Sequence, residues 1–423
     1  MSGSANSGMN RHFETDRFPG RPRILFVGVA ENSHTHSWID LLAGARFNVR
    51  LFAMPTGVPP DDWDTSTYIT AYTLAAQNPR TRKRLYPRRQ VGLWAKRAIA
   101  RLVLGENSAE SLRARWLARI IRGWRPDIIH TLGIEQGSEF YLQVRRQFGL
   151  EGIGKWVLQT RGGSDLALAH LDPERRKQLA DVLRSCDQLI SDNEQNFRIA
   201  RELGVREAQL APIAPVPGTG GIDVDSLRRK WHGPPSSRRA IVWPKAYDSA
   251  WGKMLPTFEA LKLCWDRIQP CEVHMLSMTA ESLMWFWSLP DNIRTSCRTH
   301  KRIPRAEVLE LMPAARVMLA PALTDGVPNS LYEGMAAGAF PIVSPLETIL
   351  SVVRNEENVL FARNLYPHEI ADALTRAMTD DQLVDEAAER NLELVSRVAD
   401  RGAIRSRVVE FYESLVRPDA RRH

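Results

Sequence analysis

From Ile24 to Ala30 the chain runs ILFVGVA, without a polar interruption, and then turns polar. A strand with no inside-outside alternation has both faces covered, and that condition belongs to a parallel sheet with helices packed on each side. The same unit recurs: HSWIDLLAGA reads as a helix and NVRLFAMP as a strand, followed by ARWLARIIRGW and PDIIHTLG, GKWVLQTRGGSD, and CDQLISDN with the helix EQNFRIARELG. Strands alternating with helices predict a doubly wound α/β domain over residues 21–215. A stretch rich in Pro, Gly and Ser then marks a linker at 216–237, and alternation restarts over 238–395 with AIVWPKAY, a helix in GKMLPTFEALKLCW interrupted at Pro256, CEVHMLSM, AEVLELMPAA and RVMLAPAL. Residues 396–423 predict an amphipathic helix that packs back on the first domain, and the polar residues 1–20 predict a disordered tail.

Length agrees with this division, because 423 residues at 43% hydrophobic exceed one ordinary core and suffice for two. No apolar run approaches the ~20 residues of a membrane span. Cys186, Cys264, Cys271 and Cys297 lack metal-binding spacing, which suits free thiols in a cytoplasmic protein. The net charge of +8 is concentrated at Arg80–Arg101, where RTRKRLYPRRQVGLWAKRAIAR contains no acid. That segment reads either as a surface for an anionic membrane or as a solvated helical face, and no nucleic-acid motif accompanies it. The D-x-D within Asp61–Asp64 lies in a Pro-rich loop and reads as a solvated turn.

Ligands of open α/β sheets bind beyond the C-terminal ends of the strands. After RVMLAPAL the chain continues DGVPNSLYEGMAAGAFPIVS, which predicts a strand to Ala322, a loop, a helix from about Ser330, a stop at Gly338 and a further strand. Gly326 permits a close approach that a side chain would block, and Asn329 or Ser330 can cap the helix, leaving N–H groups at its start for a phosphate or sugar hydroxyl. Ser330 to Glu333 also reads as a capping box, in which Glu333 only bonds the helix start.

The stretch APALTDGVPNSLYEGMAAGAFPIVS, with Asp325 and Glu333 flanking a Gly-x-Pro-Asn turn, resembles the nucleotide-sugar motif of glycosyltransferase family 4. NEENVLFARNLYPHEIADALTRAM is similar to the family's next segment, and ILFVGVAENSHTHSWIDLLAGARFNVRLFA, WRPDIIHTLG and QTRGGSDL resemble its N-terminal segments more weakly. The resemblance implies the GT-B fold, two facing Rossmann-like domains with a cleft between them. It further implies a retaining transferase acting in polysaccharide biosynthesis on a nucleotide sugar and a glycan or lipid-linked acceptor, with neither metal nor cofactor. A sugar-nucleotide epimerase of the same fold and a degenerate binding homologue are the alternatives.

By the same resemblance, Lys245 and Lys253 hold the diphosphate, whose departure needs cations in the transition state. Glu333 accepts from the ribose hydroxyls, and Asp325, where the family prefers Glu, faces the transferred sugar. The backbone at Gly326, Val327, Pro328, Asn329, Ser330 and Leu331 completes the donor site. On the acceptor side Asp165 is a hydroxyl ligand or base, or else a helix cap. His34 in the first loop is a ligand or a turn histidine, and His130 is a cleft or packed residue, since Leu132 stands where many members carry a second histidine.

Overall fold

The computed structural model describes residues 11–54, 57–70, 84–86, 108–162 and 164–417. Most of the basic segment 80–101 lies outside them, as do residues 1–10 of the N-terminal tail. Among the described residues, no helix is long and apolar enough to cross a membrane.

Two all-parallel sheets organise the chain, in the two-domain α/β arrangement of the GT-B fold. The first contains β1 (Arg23–Gly28), β2 (Asn48–Ala53), β3 (Ser66–Tyr68), β4 (Leu85–Tyr86), β5 (Ile128–Leu132), β6 (Lys155–Gln159) and β7 (Gln188–Ile190). Its order is β4-β3-β2-β1-β5-β6-β7, so the direction of winding reverses between β1 and β5. The second contains β8 (Ala240–Trp243), β9 (Glu272–Met275), β10 (Cys297–Thr299), β11 (Ala315–Ala320), β12 (Phe340–Val343) and β13 (Leu360–Phe361), in the order β10-β9-β8-β11-β12-β13. Here the reversal falls between β8 and β11, and a crevice opens beyond the strand ends at such a reversal.

Each sheet is apolar on both faces, as its unalternating strands require. Leu25, Phe52, Ile129 and Leu158 point to one side of the first sheet, while Phe26, Leu51, Ile128 and Val157 point to the other. The second side is closed by the C-terminal helix Arg401–Val416, which lays Ile404, Val408, Phe411 and Tyr412 against it. Within the stretch 216–237, Val224–Arg229 is helical, and Val224 and Leu227 join the core of the second sheet.

Pro256 does not interrupt its helix. It occupies the first turn of Leu255–Ile268, where a missing N–H costs nothing and the fixed φ favours initiation. The strand expected to run to Ala322 ends at Ala320, and the helix after it is Asn329–Ala336. Gly338 stops that helix with φ +75, in the left-handed region that glycine enters without strain.

Candidate active site

Loops from both sheets meet in one cleft. His34 follows β1, Gly162 follows β6 and Asp192 follows β7, while the Asp325–Pro328 loop follows β11. Gly326 packs so tightly against the first domain that a Cβ there would stand 2.5 Å from Asp192 Oδ2 and 2.8 Å from the Gly162 Cα. The expected close approach at this glycine is therefore an inter-domain contact. One helix start further on, Thr219 Oγ1 donates to Asn329 Oδ1 at 2.8 Å, and Asn329 Nδ2 lies 3.5 Å from His34 Nδ1.

On the second domain a cavity of about 310 Å³ is lined by Lys245, Trp251, Lys253, Asp325, Ser330 and Asn364, among others. It lies between the loops after β8 and β11, at the winding reversal. Asn364 fixes the Lys253 backbone by accepting from its N–H at 2.8 Å and donating to its carbonyl at 3.0 Å. The Lys253 side chain is exposed and has no ion-pair partner among the described residues. Lys245 pairs with the Asp325 carboxylate. Burial pulls the Lys245 ammonium down, but the Asp325 charge and hydrogen bond outweigh it and hold its pKa above the ordinary value. Asp325 Oδ1 also accepts from the Gly326 N–H at 2.9 Å, which fixes the turn.

The capping reading of this loop is corrected. Pro328 occupies the N-cap and contributes no side-chain bond, so neither Asn329 nor Ser330 caps the helix. Asn329 instead faces His34 of the first domain, and Ser330 Oγ is buried with no protein partner among the described residues. Nor does Glu333 close a capping box, because its Oε1 accepts from Arg305 Nε at 2.7 Å and pairs with the Arg305 Nη2 at 2.7 Å. Val327 and Leu331 are buried and anchor the turn from below. The Leu331 N–H donates to the Pro328 carbonyl at 3.0 Å, while the N–H groups of Asn329 and Ser330 precede any intrahelical acceptor by the geometry of a helix start.

The acceptor-side residues divide. Asp165 caps no helix: it lies in the π-helical turn Ser164–Leu168 and accepts from the Arg161 N–H at 2.7 Å. Burial raises its pKa to about 6, against the lowering by that hydrogen bond and the Arg161 charge. His34 sits in the first turn of the helix Ser33–Ile39, not in a loop, because Asn32 caps the helix by accepting from the His34 N–H. Burial, joined by the Arg161, Lys245 and Arg305 charges, lowers the His34 pKa to about 4, so the ring is neutral near pH 7. His130 is removed from the cleft set. It is fully buried on β5 beneath the C-terminal helix, with Nδ1 2.5 Å from the Tyr412 hydroxyl, which also accepts from Trp38 Nε1 at 3.1 Å. The turn at Asp61–Asp64 does not line the cavity, and Asp64 is paired to Arg84.

Arg305, Arg161, Asp192 and Asn364 belong to the site and were not singled out from sequence. Arg161 stands inside the quoted QTRGGSD, where an arginine at a strand end was the available signal. Burial lowers its pKa to about 10, while Asp165 and Asp192 hold it up.

Residues 287–393 match the family model described as glycosyl transferases group 1. These residues belong to the group 1 glycosyl transferases. The segment contains Arg305, Asp325, Glu333 and Asn364, and its match supports a glycosyltransferase activity for the chain. Similar solved structures include a sucrose-phosphate synthase from Thermosynechococcus elongatus, at 15% identity and TM-score 0.65, over 93% of this chain and 99% of that one. Anabaena HepE in complex with UDP matches at 13% identity and TM-score 0.62, over 93% and 100%. A glycosyltransferase from Rickettsia africae matches at 10% identity and TM-score 0.64, over 95% and 100%. No curated protein sequence matches the chain.

Proposed function

We propose that this group 1 glycosyltransferase belongs to family 4 and moves a sugar, with retention, from a nucleotide-sugar donor to a glycan or lipid-linked acceptor. One observation carries the reading: Lys245, Lys253, Asp325 and a helix start surround one cavity at the winding reversal of the second sheet. That set matches a donor, with cations and N–H groups for the diphosphate and a carboxylate for sugar hydroxyls. In this reading Glu333, one turn inside the helix, accepts from the ribose hydroxyls. The UDP bound in HepE supports a nucleoside diphosphate as the ligand of this fold's cleft.

In the proposed reaction the C1–O bond to the diphosphate breaks while the acceptor oxygen bonds C1 from the same face. The departing phosphate oxygen takes the acceptor's proton. Lys245 and Lys253 offset the charge that accumulates there, and no metal ion enters the scheme. The first-domain wall, with His34 neutral and Asp165 beside Arg161, orients the acceptor. A lipid-linked acceptor would bring the basic segment 80–101 to an anionic surface.

The test is product analysis with the full chain, UDP-, ADP- and GDP-sugars, and glycan and polyprenyl-linked acceptors, with and without chelator. Transfer with the donor's anomeric configuration kept in the NMR spectrum, unchanged by chelator, is expected. Inverted product removes retention, sugar epimerised without acceptor points to an epimerase, and no turnover with any pair overturns the reading.

A further inference from the structure

Glu333 is 6% exposed, a poor environment for a carboxylate unless a cation accompanies it. Its ion-pair partner is Arg305, the first residue of the helix Arg305–Leu311, which follows β10. The geometry is lopsided. Arg305 Nε donates to Oε1 and Nη2 forms an ion pair with the same oxygen, while Oε2 has no protein partner among the described residues. An ionised carboxylate carries about four lone-pair sites. Arg305 uses those of one oxygen and leaves the other.

From this asymmetry we infer that Arg305 is a positioning residue of the ribose subsite, and that the Arg305–Glu333 pair, not Glu333 alone, selects a ribonucleotide over its 2′-deoxy counterpart. The inference rests on the reading of Glu333 as the ribose acceptor. Arg305 holds Oε1 and so fixes the rotamer of the carboxylate, leaving Oε2 to accept from the ribose hydroxyls. Arg305 is itself about one-third exposed, so its guanidinium needs no further burial to serve this role. Lys245 also acts on Glu333 through its charge, but its direct ion-pair partner is Asp325.

The experiment is calorimetric titration of the full chain with UDP, ADP and GDP, followed by the 2′-deoxy form of whichever binds most tightly. The wild type is expected to prefer the ribonucleotide by about 10- to 100-fold, the range of a hydrogen bond to a charged acceptor. In Arg305→Ala the ratio falls towards one, and Arg305→Lys gives an intermediate ratio because an ammonium lacks the fork. An Arg305→Ala chain that merely lost packing would weaken both nucleotides and keep the ratio. If that ratio persists in Arg305→Ala and Arg305→Lys but is lost in Glu333→Gln, the role of Arg305 is refuted and the ribose reading stands. If Glu333→Gln also keeps it, or no nucleotide binds the intact chain, both fall. Should Arg305→Ala not fold, Arg305→Lys decides, since a wild-type ratio there contradicts the inference.

Discussion

Asp325 and Glu333 look alike in sequence and differ in environment. The Asp325–Lys245 pair is partly exposed on both sides, and pairs of that kind contribute about 0–1 kcal/mol. A donor can therefore separate them at little cost. The Glu333 carboxylate is buried, and removing its partner would leave an uncompensated charge worth about 3–5 kcal/mol, so that pair persists when ligand enters. A third carboxylate, Asp192, has no ion-pair partner among the described residues. Burial raises its pKa to about 7 from 3.8, Asn193's hydrogen bond opposes the rise, and the Asp325 charge adds to it. An acid with a raised pKa in the fold holds its proton more tightly there than in the unfolded chain. Stability from this group therefore falls as pH climbs from about 4 to about 7 and is level above. His34 acts with the opposite sign between about 4 and 6.5, because its lowered pKa makes the unfolded chain the better proton binder. It is common to wild type and Asp192→Asn and cancels in their difference. Thermal unfolding from pH 4 to 8 should show the variant gaining on the wild type through that window and then holding a constant lead. Parallel curves would mean that Asp192 ionises freely in the fold.

At the scale of elements, the β11-loop-helix-β12 unit was legible because its punctuation is chemical. The apolar run gives the strand, Gly-Val-Pro-Asn the turn and Gly338 the stop. Capping was misread because capping boxes are recognised by spacing, whereas Glu333 had a stronger partner 28 residues away in sequence. Arg305 was invisible for a related reason. β10 is three residues long and contributes one buried side chain, so nothing marked the following helix start as a site element. The contact at Gly326 yields an element-scale prediction. In Gly326→Ala the methyl meets Asp192 Oδ2 and the Gly162 backbone, so the β11 loop and the first domain must separate. Overpacking of this kind costs about 1–3 kcal/mol. A moderate loss of thermal stability with a disproportionate loss of transfer rate is expected in paired unfolding and initial-rate assays. Wild-type rates would show that the two domains need not touch here during turnover.

For the whole molecule, the two-sheet architecture followed from unalternating apolar strands separated by helices, a pattern that admits few other folds. The strand ends also indicated where to look, because ligand sites of such sheets lie beyond them. What long-range packing decides was not legible. His130 is claimed by Tyr412, 282 residues later, and becomes core. The chain returns in its last helix to cover the first sheet, so its C-terminal end and its first domain form one packed body. On this reading the cleft between the two sheets binds a nucleotide sugar through Glu333 together with the cavity lined by Lys245, Lys253 and Asp325. A thermal-shift screen of UDP-, ADP- and GDP-sugars on wild type and Glu333→Ala tests it directly, since a ligand that binds the folded state raises stability by RT ln(1 + [L]/Kd). The account predicts that at least one nucleotide sugar raises the wild-type Tm in a concentration-dependent way and leaves Glu333→Ala unshifted at the same concentrations. Equal shifts in both proteins, or none in the wild type, would contradict it.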